Sequence, residues 1–286
     1  MTHRFLGFGL MTALALSALS GCSGDDGESD GSGTATFTAW GEEYIEEGIP
    51  AAEFEDGWAV KFDQFLISLT GISVHDRAGK GSELEANWLL ALTQPGPHEL
   101  GSLDLTAKAW PLVGYAIEPV SSRTEVHESA TDDELDLMRK GGYSVYVSGT
   151  ATLDDVTKTF AWGFTNGTEY SDCVSEIDGK EVEGLIVANG GEEKVQLTIH
   201  GDHFFYDDLA SFDAVPRFAA MAAADAYEDG EVTLAELDAV PLVEIEAGTY
   251  GTGSASHVND LGEFVRALTR TIGHYRGEGH CTETAD

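Results

Sequence analysis

The chain has 286 residues, with 51 Asp and Glu against 15 Lys and Arg, for a formal net charge of −36 at pH 7. A surface this acidic repels phosphate backbones, which excludes nucleic-acid partners, and it suits a medium rich in salt or divalent cations. The length allows one large domain or two small ones, and no dinucleotide fingerprint, P-loop or repeat period organises the sequence.

Residues 1–21 read as a secretion signal. His3 and Arg4 form a short basic region, and Phe5 to Ala18 is an apolar run too short to span a bilayer. The following Leu19-Ser20-Gly21-Cys22 resembles the lipobox of bacterial lipoproteins. That resemblance implies cleavage before Cys22 and acylation of its thiol, with palmitate among the acyl chains. The alternative is an ordinary cleaved signal with an incidental cysteine. Ser23, where an Asp would favour retention at the inner membrane, implies by the same resemblance an outer-membrane lipoprotein, facing the periplasm or the cell surface. The lipid would then make the membrane a partner without any spanning segment. Residues 22–34 continue with Gly, Ser and acids and have almost nothing to bury, so they read as a flexible acidic tether.

Residues 35–210 read as a β-rich domain. Thr36 to Trp40 alternates like a strand. Gly41 to Phe54 is acidic with scattered apolar residues and fits a short helix or a long loop. In the run after Gly57, Trp58, Val60 and Phe62 share one parity, and the apolar set then moves to Phe65, Ile67 and Leu69. That change predicts a bulge or bend after Asp63. Further strands are expected around 87–93, 98–105 and 110–117, and an acidic loop with one helical turn at 124–139. Tyr143 to Thr152, the turn at Leu153-Asp154-Asp155 and Thr157 to Phe164 predict a hairpin. A second hairpin is expected from 181–188 and 194–200 about Asn189-Gly190-Gly191. The fold class expected is mainly β with α: an antiparallel β-sandwich or open barrel followed by a small C-terminal helical region.

With Cys22 given to lipid, Cys173 and Cys281 remain, and in an exported protein a disulfide between them is expected. Two free thiols serving a metal are the alternative. The disulfide would pin the C-terminal tail to the middle of the chain. His200-Gly201-Asp202-His203 closes the last strand of the β region. A break at Gly201 would let both imidazoles and Asp202 converge, and a pinned tail could add His274 or His280. Imidazole with carboxylate suits Zn²⁺, Cu²⁺ or Fe²⁺. The alternative is that these histidines hydrogen-bond loop backbone and that His274 caps a helix C-terminus.

Residues 211–286 are expected to form the helical region, packed on the β domain. The segment from Asp225 to Glu236, DAYEDGEVTLAE, is similar to the EF-hand loop family. The resemblance implies Ca²⁺ held by the side chains of Asp225, Asp229 and Glu236, by the Glu231 carbonyl, and by Thr233 directly or through water. Gly230 would permit the sharp turn and Val232 would anchor the loop to the core. Tyr227 departs from the pattern by removing one hard oxygen. Beyond a last short strand, Val258, Leu261, Phe264, Val265, Leu268 and Ile272 make one apolar face of a helix from Ser256 or Asn259 to about His274. No G-x-S-x-G elbow or H-E-x-x-H is present, so a binding or structural role is expected ahead of catalysis.

Overall fold

A computed structural model describes residues 31–177 and 179–285. The expected secretion signal, Cys22 and the first part of the expected tether lie outside them. Among the described residues, no helix is long and apolar enough to cross a membrane.

The fold is mainly β, with a curled open sheet and a few short helices. A four-stranded sheet runs in the order Gly273–Tyr275, Glu192–Ile199, Ser32–Trp40, His98–Thr106. A larger sheet is built around the long strand Ala59–His75, which pairs with Val145–Leu153 and, further along, with Leu112–Ile117. The parity change after Asp63 is a register shift between Phe62 and Gln64. A second shift falls between Thr70 and Ser73, where Gly71 takes a φ of +64° that a side chain rarely adopts. Both shifts bend the strand and let one continuous segment serve a curled sheet. The buried core includes the aromatic residues Phe62, Phe65, Phe160, Trp162, Phe204, Phe205 and Phe218.

The hairpin of Val145–Leu153 with Val156–Phe164 forms as its alternation requires, with Asp154 in the left-handed region at the turn. The second expected hairpin does not form. Glu192–Ile199 runs parallel to Ser32–Trp40 and antiparallel to Gly273–Tyr275, while Leu185–Ile186 pairs with Ala109–Trp110. A period of two identifies the buried face of a strand but not its partner, and here the partners are remote in sequence. The acidic stretch at 124–139 holds more helix than expected, Asp132–Gly141. It is opened by a capping box between Thr131 and Glu134 and closed by Gly142 at a φ of +66°.

The C-terminal part carries the short helices Ala219–Ala223, Leu234–Leu237 and Leu261–Leu268, but also strands that join both sheets. The expected helix to His274 stops at Leu268. Thr269 and Thr271 turn their hydroxyls back to the carbonyls of Arg266 and Leu268, at 2.7 and 2.9 Å, a local bond that competes with helix continuation. The chain then extends into Gly273–Tyr275. A side chain at Gly273 would meet the phenol of Tyr115 and the ring of Tyr170 at 2.6 Å, so glycine is what permits this close approach. Beyond it, Cys281 is bonded to Cys173, and His280–Ala285 lies antiparallel on Thr168–Ile177.

Candidate metal centre

The register of the four-stranded sheet places the site. Trp40 lies opposite Thr198 in the parallel pair, and Thr198 lies opposite His274 in the antiparallel one. Residues just beyond the ends of the two parallel strands therefore meet at one edge, level with His274. There Gly201 turns the chain into a short 3₁₀ helix, Asp202–Phe205. A side chain at Gly201 would strike Ile45 at 2.6 Å and Phe62 at 3.0 Å, so the absence of a Cβ lets the turn pack directly on the core.

Three imidazoles converge at this edge. Candidate ligand atoms of His200, His203 and His274 all lie within 4.8 Å of one another, and the ring centroids are 4.2 to 5.2 Å apart. An ion with bonds of about 2.0–2.1 Å in tetrahedral geometry holds its nitrogens about 3.3 Å apart. The ligand atoms thus need to close by at most about 1.5 Å to share one ion. His200 and His203 are 7% and 8% exposed, and His274 is partly buried.

The hydrogen-bond accounting is what sets this cluster apart. His200 Nε2 and His274 Nδ1 are buried without a protein partner, and a buried polar atom left so is costly. His203 Nδ1 lies 3.0 Å from Thr271 Oγ1, whose own proton goes to the Leu268 carbonyl. The network therefore assigns the His203 proton to Nδ1 and leaves a lone pair on Nε2, the arrangement a metal-binding histidine needs. Burial and the neighbouring imidazoles push His203 well below the ordinary histidine range. Burial and His200 push His274 down to about 4. Both rings are neutral at pH 7 and able to ligate.

Carboxylates border the cluster. Asp202 accepts a 2.8 Å bond from the Tyr206 phenol at Oδ2, while its buried Oδ1 has no protein partner. The Tyr206 ring in turn lies against His203, with centroids 4.4 Å apart. Burial raises the Asp202 carboxyl, against the lowering effect of the Tyr206 bond. His280 is not part of the group. It is exposed and stands opposite Val174 in the C-terminal strand. Of the histidines offered by a pinned tail, the one before the turn at Gly277 joins the site and the one after it does not.

The acidic loop is arranged differently. Gly230 has a φ of +88°, and Val232 is fully buried, with its carbonyl accepting from Trp162 Nε1 at 2.8 Å. Asp225 Oδ2 accepts from Lys158 Nζ at 2.5 Å and from the Gly230 amide at 3.0 Å, and Oδ1 from the Asp229 amide. The Lys158 ammonium holds this carboxyl below the usual carboxylate range. Asp229 accepts from the Glu231 amide at 2.9 Å. Glu236 and Thr233 form a capping box that opens Leu234–Leu237, and the other Glu236 oxygen accepts from Ala226. The side chains expected to hold calcium are engaged with backbone amides, with each other and with a lysine.

Comparison with known proteins adds little. No family model matches this chain. No curated protein matches it. Among solved structures it is similar to MbnP from Methylosinus trichosporium, at 10% identity and a TM-score of 0.31, covering 61% of this chain and 77% of that one. A likeness of that size carries no argument about fold or function.

Proposed function

We propose that this protein is a lipid-anchored envelope protein that binds one transition-metal ion through His200, His203 and His274. The observation that carries the reading is the convergence of three imidazoles, with ring nitrogens at His200 and His274 buried and without a hydrogen-bond partner in the protein. Nitrogen donors of this kind suit Zn²⁺, copper or Fe²⁺. Three protein ligands leave a further coordination position for a carboxylate, water or incoming ligand. Thr271 fixes the His203 tautomer, and Asp202 with Tyr206 packs against the same ring. A binding or carrier role is favoured because no G-x-S-x-G elbow or H-E-x-x-H accompanies the cluster in the sequence. Metal analysis of untagged protein tests the reading. One transition-metal ion per chain is expected, lost when His200→Ala and His203→Ala are combined.

The anchor is supported by the lipobox-like sequence ending at Cys22. Labelling with a fatty acid and its loss in Cys22→Ala test it. A second reading retains calcium at the acidic loop, supported by the left-handed Gly230 and the buried Val232. An ion there would have to displace Lys158 from Asp225 and do without an oxygen at Tyr227, so its affinity belongs to the millimolar class of extracellular sites.

A further inference from the structure

The three histidines have a fourth neighbour that sequence reading passes over. Glu42 Oε2 lies 3.9 Å from His200 Nε2, the same nitrogen that is buried without a hydrogen-bond partner. We propose that Glu42 is a carboxylate fourth ligand of the histidine centre and tunes that centre to a divalent ion. The proposal rests on the metal reading of the three histidines and names a further ligand and the charge class of the ion.

Several features hold Glu42 in place. Trp40 stands opposite Thr198 in the parallel register, so Glu42, two residues after Trp40, emerges beside His200, two residues after Thr198. The helix Glu42–Glu46 is pinned to the sheet from its other end: Glu46 Oε1 accepts from Trp40 Nε1 at 2.7 Å and from the Gly96 amide at 2.8 Å. Ile45, 1% exposed, packs where a Cβ on Gly201 would otherwise sit. The same glycine that turns the chain between His200 and His203 therefore lets the Glu42 helix approach them. Glu42 itself holds a φ of +55°, a left-handed conformation that a non-glycine residue adopts at a cost. Outside lies a cleft of about 340 Å³ lined by Trp40, Glu42, Glu43, Tyr44 and Glu278, which gives a cation an acidic approach from solvent.

The donor set selects the ion. Imidazole nitrogen joined by the hard carboxylate oxygen of Glu42 favours Zn²⁺ or Cu²⁺ over Cu⁺, which prefers softer donors.

Competition titrations with Zn²⁺, and with Cu⁺ under anaerobic reducing conditions, test this on wild type and Glu42→Gln, with Co²⁺ absorption as a readout of the coordination shell. Glu42→Gln is expected to weaken Zn²⁺ binding by about 10- to 100-fold, change the visible Co²⁺ spectrum, and leave Cu⁺ affinity within about threefold. Melting of the metal-free proteins checks that the variant is folded; should it not be, Glu42→Asp, which keeps the charge but shortens the reach, takes its place with the same expected loss of Zn²⁺ affinity. Unchanged Zn²⁺ affinity and an unchanged Co²⁺ spectrum would overturn the assignment of Glu42. A wild type that binds Cu⁺ but not Zn²⁺ would overturn it while leaving the histidine centre standing. A wild type that binds neither would remove both.

Discussion

The histidine cluster and the acidic loop both carry ligand-like residues at metal-like spacing, and the structure treats them in opposite ways. In the loop, Asp225, Asp229 and Glu236 have their charge met by backbone amides, by Thr233 and by Lys158. At the cluster, His200 Nε2, His274 Nδ1 and Asp202 Oδ1 are buried and unmatched by any protein donor or acceptor. At the loop an ion has to compete with the Lys158 ammonium for Asp225. A buried, unmatched set gains the whole interaction. Spacing alone nominates a metal site; the hydrogen-bond accounting separates the two.

The largest effect expected is on metal affinity. Combining His200→Ala with His203→Ala should abolish transition-metal binding in calorimetry while leaving any calcium response of the loop intact. Loss of both responses together would mean that the two regions are coupled and the contrast is false.

Next is the disulfide, which closes a span of 108 residues and pins the strand that follows His274. Replacing Cys173 and Cys281 by Ser should cost about 2–5 kcal/mol in denaturant unfolding. It should also weaken metal binding at the cluster more than calcium binding at the loop.

A pH series sharpens the comparison further. For His203 and His274 the folded pKa lies below the unfolded value near 6.5, so the unfolded chain binds more protons as pH falls. Metal-free protein should therefore lose stability from about pH 6.5 downward. The loss completes near pH 4 for His274, at up to about 1.4 kcal/mol per pH unit for each histidine. The difference between wild type and His203→Asn with His274→Asn isolates this contribution from that of the many acids. Parallel curves would show that the imidazoles are not held neutral.

The smallest effects belong to the loop. Thr233→Ala should cost about 1 kcal/mol through loss of the capping box, with or without calcium. Lys158→Met should lower the metal-free melting temperature and make it respond more steeply to millimolar calcium, because it removes the ammonium that already sits on Asp225.

Some of this was legible in the sequence. Alternation gave the hairpin at 145–164, and the parity change after Asp63 marked the bend in the long strand. The break at Gly201 and the pairing of Cys173 with Cys281 pointed to a site made from His200, His203 and one tail histidine. The rest depended on pairing between remote segments. The parallel match of residues 34–40 with 192–198 brings Glu42 to His200, and nothing local in either segment encodes it. Nor could spacing show that Lys158, well upstream in the neighbouring hairpin, would reach Asp225. The capping box at Thr131 and Glu134 was written in the sequence and would have given the longer helix.

The most direct test of the account is the metal content of mature, untagged protein by mass spectrometry, beside His200→Ala with His203→Ala. Close to one zinc, copper or iron per chain is expected in the wild type and none in the variant. A wild type without transition metal after exposure to these ions, or a variant that keeps its metal, would contradict it.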